Sequence, residues 1–153
     1  MAYSTQVDVE DAAGGAKRLV ELADWDRDGM ADVDRIAAAI TKADALIDSY
    51  ASKRFHVPFN PPTTIITEHS ATLAKIILAR RRGQLTQDEH DEWESIAGTD
   101  EKKPGWLLLF SRGVVTPGGD PLPIAHGTMQ TDVVETHMPG DRDAARDKLV
   151  GFW

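Results

Sequence analysis

The chain has 153 residues and a formal net charge of −8, with 25 acidic and 17 basic residues and no cysteine. This length predicts one domain or a small domain with an arm, and the lack of cysteine excludes disulfides and thiolate metal sites. The acidic balance repels phosphate and so disfavours tight nucleic-acid binding as the main task, although an acidic surface could line a passage through which DNA slides.

Two short helices separated by glycines are the first predicted elements. Ser4 or Thr5 is placed to cap a helix that runs to Ala13, with acidic residues in its first turns. Gly14-Gly15 ends this helix, and residues 16–23 form the second. An acidic turn over residues 24–29 follows.

The third helix has the clearest pattern, because its apolar side chains recur at steps of three and four. Its expected buried stripe consists of Val33, Ile36, Ile40, Ala43, Ile47 and Tyr50. The charged residues expected to lie largely off this stripe are Asp34, Lys42, Asp44, Asp48 and Lys53. Asp32 is the expected N-cap. The helix should end near Arg54, because a residue that precedes proline, here Val57, is pushed out of the helical region.

A proline corner over residues 60–62 leads into the fourth helix, residues 64–82. The side chains expected on its buried stripe are Ile66, Leu73, Ala74 and Ile77, with Ile76 beside it. Gly83 is the expected stop. A fifth helix opens with the capping-box pattern Thr86-x-x-Glu89. It is expected to carry Trp93 and Ile96 inward and to end near Gly98, and a short sixth helix covers residues 106–112.

Beyond Gly113 the chain becomes rich in proline and glycine and loses any sustained helical stripe. Residues 113–153 are therefore expected to form an arm, with a short hairpin across residues 117–120 as one option. The predicted fold is all-α: a small helical bundle over residues 1–112 with a long, mostly extended C-terminal arm over residues 113–153.

One motif has the form of a metal site. Asp24-x-Asp26-x-Asp28-Gly29-x-x-Asp32 matches the first nine positions of a calcium loop. Position twelve of such a loop needs a bidentate carboxylate, and this sequence has Arg35 there. Two interpretations stay open: a Ca²⁺ site formed by the four aspartates, or an acidic turn that ends by capping the third helix.

The other chemistry-bearing residues form no recognisable constellation. The histidines are His56, His69, His90, His126 and His137, and they lack the short paired spacing of a zinc site. A G-x-S-x-G elbow and a phosphate-binding glycine loop are both missing. We therefore predict no catalytic residue, no bound cofactor and no enzymatic activity, while a small enzyme with an unrecognised site stays a further hypothesis.

Two segments are candidates for partner binding. Arg80, Arg81 and Arg82 could meet DNA phosphates or an acidic partner, or could complement the dipole at a helix C-terminus. Leu149, Val150, Phe152 and Trp153 place two aromatic rings near the end of the predicted arm. They either fold back onto their own domain or anchor the arm in a neighbouring subunit or partner pocket.

The order of several motifs resembles the Mu-like prophage head–tail connector family, whose members are also described as head-completion or adaptor proteins. The resemblance rests on these segments: Tyr3-Ser4-Thr5, the turn over residues 24–32, Ala43-x-x-x-Ile47-Asp48-x-Tyr50, the segment FHVPFNPP (residues 55–62), Arg80-Arg81-Arg82 and the ending over residues 147–152. It covers about residues 3–112 and the final dozen. Two features depart from the family: the break over residues 98–104, and residues 114–140, which have no assigned counterpart.

The resemblance implies a ring-shaped homo-oligomer, a dodecamer, beneath the portal protein, which joins the DNA-filled head to a tail-side neck or stopper protein. It implies that DNA passes through the ring without sequence-specific binding, and that the protein belongs to the virion neck after assembly in the host cytoplasm. Residues 1–10 carry no secretion signal. The apolar run over residues 106–110 is far shorter than the ~20 residues of a membrane span, so a soluble protein with no membrane partner is expected. The alternative function is a small calcium-responsive protein-binding module that uses residues 24–32.

Overall fold

A computed structural model describes residues 2–118, and these residues form six α-helices and no strand. The helices are α1 (Gln6–Ala13), α2 (Ala16–Ala23), α3 (Val33–Ala51), α4 (Thr64–Arg82), α5 (Gln87–Ala97) and α6 (Trp106–Arg112). The predicted all-α fold is confirmed in this part of the chain, and none of the described helices is long and apolar enough to cross a membrane. Residues 114–118, the first half of the predicted hairpin, form no strand, and the rest of the hairpin and of the predicted arm lies outside the described residues.

The first two helices begin and end as the sequence predicted. Thr5 is the N-cap of α1: its Oγ1 accepts a hydrogen bond from the Asp8 backbone N–H (3.3 Å), and the Asp8 carboxylate accepts one from the Thr5 N–H (2.6 Å). This pair is a capping box. Gly14 ends α1 with a φ of 87°, a left-handed conformation that glycine adopts without steric cost.

The two longest helices, α3 and α4, form the centre of the bundle and run antiparallel. Each has 19 residues, which corresponds to about 28 Å. Ile36, Ile40 and Ile47 of α3 are buried as predicted, but Val33 is 62% exposed, so the prediction for Val33 was wrong. The buried stripe of α3 begins one turn later, at Ile36, because Val33 lies at the edge of an open groove between α3 and the N-terminal segment.

The buried surface of α4 is broader than a single stripe. Ile66, Leu73 and Ala74 are buried as expected, but Ile76 is fully buried and Ile77 only partly, which reverses the predicted order of these two. The physical reason is that α4 contacts α1, α2, α3 and α5. A helix that is enclosed on several sides cannot be described by one amphipathic face.

Helix α3 ends at Ala51, three residues before the predicted end. The Ser52 N–H still donates to the Asp48 carbonyl (2.8 Å), but the N–H groups of Arg54 and Phe55 both donate to the Ala51 carbonyl (2.9 Å each). This turn directs Phe55 onto Phe110, where the two rings stack with centroids 4.7 Å apart. The end of α3 thus coincides with aromatic packing at this end of the bundle.

An aromatic cluster closes this end of the bundle. Phe110 of α6 is fully buried, and it contacts Phe55, Phe59 and Trp106 with ring centroids 4.7 to 6.0 Å apart. The loop FHVPFNPP thus supplies two rings to one buried centre. Two of its three prolines follow cis peptide bonds, at Val57-Pro58 and Asn60-Pro61.

A buried polar network fastens the N-terminal segment to the central helices. Asp44 of α3 is only 7% exposed, so the prediction that it lies off the buried surface was wrong. Its carboxylate accepts hydrogen bonds from the Tyr3 N–H (3.0 Å) and from the Ser70 hydroxyl (2.6 Å), and the Ser70 oxygen lies 2.8 Å from that of Ser4. Every polar group in the set has a partner, which is the condition under which polar burial is tolerated.

Tyr3 extends this network to the aromatic end. Its hydroxyl donates to the Asp48 carboxylate and accepts from the Phe59 N–H (3.0 Å). Burial, followed by the hydrogen bond to Asp48, raises the pKa of Tyr3 above its usual range. One side chain therefore joins the N-terminal segment, α3 and the FHVPFNPP loop.

Helix α5 has the predicted capping box, in which the Glu89 N–H donates to Thr86 Oγ1 (3.2 Å) and the Thr86 N–H donates to the Glu89 carboxylate (2.9 Å). It ends at Ala97 with Gly98 as its C-cap, as predicted. Ile96 is buried and Trp93 is partly buried. The break before α6 is closed by a hydrogen bond from the Gly105 N–H to the Gly98 carbonyl (2.9 Å).

The first residues of the predicted arm lie on the bundle. Val115 packs against the core, and Thr63 Oγ1 donates a hydrogen bond to the Pro117 carbonyl (2.5 Å). Since Thr63 is the N-cap residue of α4, the chain reaches residue 118 at the end of the bundle that holds the aromatic cluster. The division at residue 112 stays a prediction.

Replacing Asp44 with alanine should lower the free energy of unfolding by about 1–3 kcal/mol, because the Tyr3 N–H and the Ser70 hydroxyl lose their acceptor in a buried site. Asp44→Asn should cost less than about 1 kcal/mol, because the amide keeps one acceptor and can donate to Ser70. Urea unfolding followed by circular dichroism measures both. Glu94→Gln, exposed on α5, is the control and should change the free energy by less than about 0.5 kcal/mol.

The Asp44 comparison should also depend on pH. Burial raises the pKa of the Asp44 carboxyl above its ordinary value, so the stability that comes from its protonated form is complete below about pH 4 and is lost as the pH rises through the raised pKa. The asparagine variant has no such loss. As the pH increases from 4, the free energy of unfolding of the natural chain should therefore fall relative to that of Asp44→Asn. A difference between the two chains that does not change with pH would contradict the raised pKa of Asp44.

Candidate functional site

The acidic loop between α2 and α3 brings three of the four predicted metal ligands together. Carboxylate oxygens of Asp24, Asp26 and Asp28 lie within 4.8 Å of one another. Asp26 and Asp28 are exposed, and Asp24 is nearly buried beneath them. This is the arrangement that the first half of the calcium-loop pattern predicts.

The same carboxylates also organise the backbone of the loop. Asp24 accepts hydrogen bonds from the N–H groups of Arg27 (2.6 Å) and Gly29 (3.1 Å). Asp26 accepts from the Asp28 N–H (3.2 Å), and Asp28 from the Met30 N–H (2.7 Å). Short acidic side chains that bind backbone N–H groups in this way stabilise a turn. The loop therefore holds its shape through its own hydrogen bonds.

Asp32, the fourth predicted ligand, lies apart from the other three. It occupies the N-cap position of α3 as predicted, but its side chain makes no capping hydrogen bond and instead accepts from the Trp25 N–H (3.1 Å). Arg35, at the position of the closing carboxylate, lies with its guanidinium carbon 5.2 Å from the Trp25 ring centroid. In the described residues, the second half of the calcium pattern is thus replaced by contacts to Trp25.

Trp25 is the residue of this loop that the sequence analysis missed. Its ring also lies 5.7 Å from the guanidinium carbon of Arg82, so two arginines flank one indole. The sequence signal that could have identified Trp25 was its position inside an otherwise acidic turn, because an aromatic ring there needs a side chain to pack against. Contacts from α3 and α4 supply that partner.

The three predicted arginines do not act as one cluster. Arg82 donates from Nε to the Glu21 carbonyl (3.2 Å) and from Nη2 to the Asp24 carbonyl, so it ties the end of α4 to the end of α2. Arg80 lies over the ring of Trp93 in α5, with its guanidinium carbon 4.4 Å from the ring centroid. Arg81 is exposed to solvent. Arg82 therefore has a structural role, and the partner role of the three arginines stays a prediction.

The predicted terminal anchor, Leu149, Val150, Phe152 and Trp153, lies outside the described residues. The structure does show where the last described residues lie on the bundle. Pro117 is held at Thr63, the start of α4, whereas the acidic loop and Arg82 lie at the opposite end of the bundle. The Pro117 contact and the acidic loop with Arg82 thus lie at opposite ends of the α3–α4 pair.

Arg82→Ala should lower the free energy of unfolding by about 1.5–3 kcal/mol, because two backbone carbonyls lose a charged donor and Trp25 loses one of its cations. Arg82→Lys should recover little of this, because an ammonium group lacks the planar fork of donors. Urea unfolding measures both variants. Arg81→Ala, at an exposed neighbouring position, is the matched control; equal losses for Arg81→Ala and Arg82→Ala would refute the structural role given to Arg82.

Comparison with known protein families gave a match that spans the whole bundle. A family model described as Bacteriophage Mu, Gp36 matches residues 3–121, a range that contains all six described helices and the acidic loop. Comparison with curated proteins and with solved structures gave no match. Because the matched range covers well over half of the 153 residues, the chain belongs to the bacteriophage Mu Gp36 family.

Proposed function

We propose that this chain is a structural head–tail connector subunit, which forms a ring beneath the phage portal and joins the DNA-filled head to the tail. The observation that carries the proposal is the family match over residues 3–121, which makes the chain a bacteriophage protein. The order of motifs along the sequence adds the connector role by resemblance. In this proposal the chain is not an enzyme, and its partners are further copies of itself, the portal protein and a tail-side neck protein.

The outer face of α3 has properties that suit a contact between subunits. Its exposed side chains include five small ones, Ala37, Ala38, Thr41, Ala45 and Ser49, beside the larger Val33, Asp34, Arg35 and Lys42. Small side chains let a helix of a neighbouring copy approach closely. In a ring this contact is heterologous, so the α3 face of each copy would meet a different face of the next.

The charge distribution fits a subunit around passing DNA. Exposed acidic side chains on α1 and α5 include Asp11, Asp88, Asp91 and Glu94, and they contribute to the net charge of −8. A surface of this sign repels phosphate and lets a duplex move without being held. The proposed location is accordingly the virion neck, reached after assembly in the host cell.

Deletion of the gene tests the connector role most directly. Electron microscopy of the resulting particles should show DNA-filled or leaking heads beside free, finished tails, because both halves assemble but cannot join. Complementation with the intact gene is the control. Normal tailed particles in the deletion would remove the connector proposal.

Ala45→Arg tests the α3 face. The position is exposed, so the substitution should change the free energy of unfolding by less than about 0.5 kcal/mol. It should nevertheless reduce complementation of the deletion by at least about tenfold, because a buried, unpaired arginine at a subunit contact costs more than 1.4 kcal/mol. Ser95→Arg, exposed on α5, is the control; equal complementation by the two variants would place the ring contact on another face.

The alternative function is a calcium-responsive protein-binding module, favoured by one observation: three carboxylates of the loop lie within 4.8 Å of one another. Calorimetric titration of the full chain with Ca²⁺ separates the two proposals. We expect no saturable heat, because Asp32 and Arg35 are engaged with Trp25. Saturable heat that disappears in Asp26→Ala would support the calcium module instead.

A further inference from the structure

An apolar groove lies between the N-terminal segment and the first half of α3. Its volume is about 390 Å³, within the range of about 300–1,000 Å³ of pockets that hold ligands. Val33, Ile36, Ala37 and Ile40 line it from α3, with Ala2 and Gln6 on the facing side. Val33 at its mouth is 62% exposed. The groove and Val33 together form an open apolar surface on which an apolar segment can dock.

The groove is acidic at one end. A neighbouring depression shares Val33 with it and is lined also by Asp26, Asp32 and Asp34. Arg35 is the one cation in that lining, and its guanidinium lies over Trp25. A segment that fits this surface would combine large apolar side chains with flanking positive charge.

The chain carries such a segment in its last eight residues. Leu149, Val150, Phe152 and Trp153 supply the apolar side chains, and they are preceded by Arg146, Asp147 and Lys148, two cations and one anion with a net charge of +1. Aromatic side chains bury 150–250 Å² each when they dock, so Phe152 and Trp153 have much to gain from such a groove. The sign of the charge also agrees, since residues 146–148 carry a net positive charge beside the apolar residues and three aspartates lie beside the groove.

The length of the connecting chain allows self-docking. The Thr63–Pro117 contact holds the chain at the end of α3 that is remote from Val33, so the path to the groove is about 28 Å along the helix. Residues 119–148 can span up to about 100 Å. Covalent tethering raises the effective concentration to the order of millimolar, which favours a chain's own segment over that of a second copy in dilute solution.

We propose that residues 149–153 dock into the groove of their own chain, between the N-terminal segment and α3, with Phe152 or Trp153 against Val33 and Ala37. The segment is thereby covered while the subunit is free. This assignment is independent of the connector role, because it concerns the single chain in solution.

Disulfide trapping in the full chain tests the proposal. The natural chain has no cysteine, so Ala37→Cys combined with Gly151→Cys gives one defined pair. A bond forms readily only when the two Cα atoms come within about 7 Å. Under mild oxidation at micromolar concentration, the pair should form an intramolecular bond, detected by non-reducing electrophoresis and by mass spectrometry of the linked peptides.

The matched control is Ala45→Cys with Gly151→Cys. Ala45 is also exposed on α3 but lies about 12 Å further along the helix, beyond the groove. The Ala37 pair should react at least about tenfold faster, and adding Phe152→Ala and Trp153→Ala should remove this advantage. Val33→Lys, at an exposed position that does not threaten folding, should remove it as well.

Two outcomes would overturn the proposal. Equal rates for the Ala37 and Ala45 pairs would show that the segment has no preference for the groove. A disulfide found only between two chains would assign the segment to a neighbouring copy and exclude self-docking.

Discussion

The buried carboxylate of Asp44 is the constraint on which the rest of this bundle depends. It lies on the face where α3 meets α4, and it accepts hydrogen bonds from both the N-terminal segment and Ser70. A carboxylate in such a place is tolerated only when its partners are fixed, so the network sets the position of residues 3–5. That position in turn fixes where α1 begins, and it places Tyr3 against Phe59. Ser4 and Thr5 form part of one wall of the apolar groove.

The two ends of the α3–α4 pair are built from different chemistry. At one end Phe55, Phe59 and Phe110 bury the corner formed by the FHVPFNPP loop, and residues 113–118 are held beside it. At the other end the acidic loop is held by Arg82 and Trp25. If the subunit has the proposed connector role, a bundle with chemically distinct ends gives each neighbour a different surface to recognise.

The acidic loop shows how a familiar pattern can take another physical solution. In a calcium loop the cation neutralises the carboxylates and closes the turn. Here Asp24 and its neighbours bind backbone N–H groups of the loop, while the Arg82 and Arg35 guanidiniums lie against Trp25 and bring positive charge to the loop. Side chains from α3 and α4 thus contact the loop at the Trp25 ring and at the Asp24 carbonyl. Arg82 could not be assigned to this contact from the motif, because it lies 58 residues from Asp24 in the sequence.

The sequence by itself determined the local features of this protein. Thr5, Gly14, Gly83 and the Thr86–Glu89 pair mark helix ends by short-range hydrogen bonds and backbone conformation, and all of them act as predicted. The order of motifs also pointed to a Mu-like phage family, and the match over residues 3–121 agrees. Only the tertiary structure decided that Asp44 is buried, that Val33 is exposed and that Arg80, Arg81 and Arg82 have three different environments. The reason is physical: a helical pattern describes one face, whereas burial and pairing depend on which other helices pack around it.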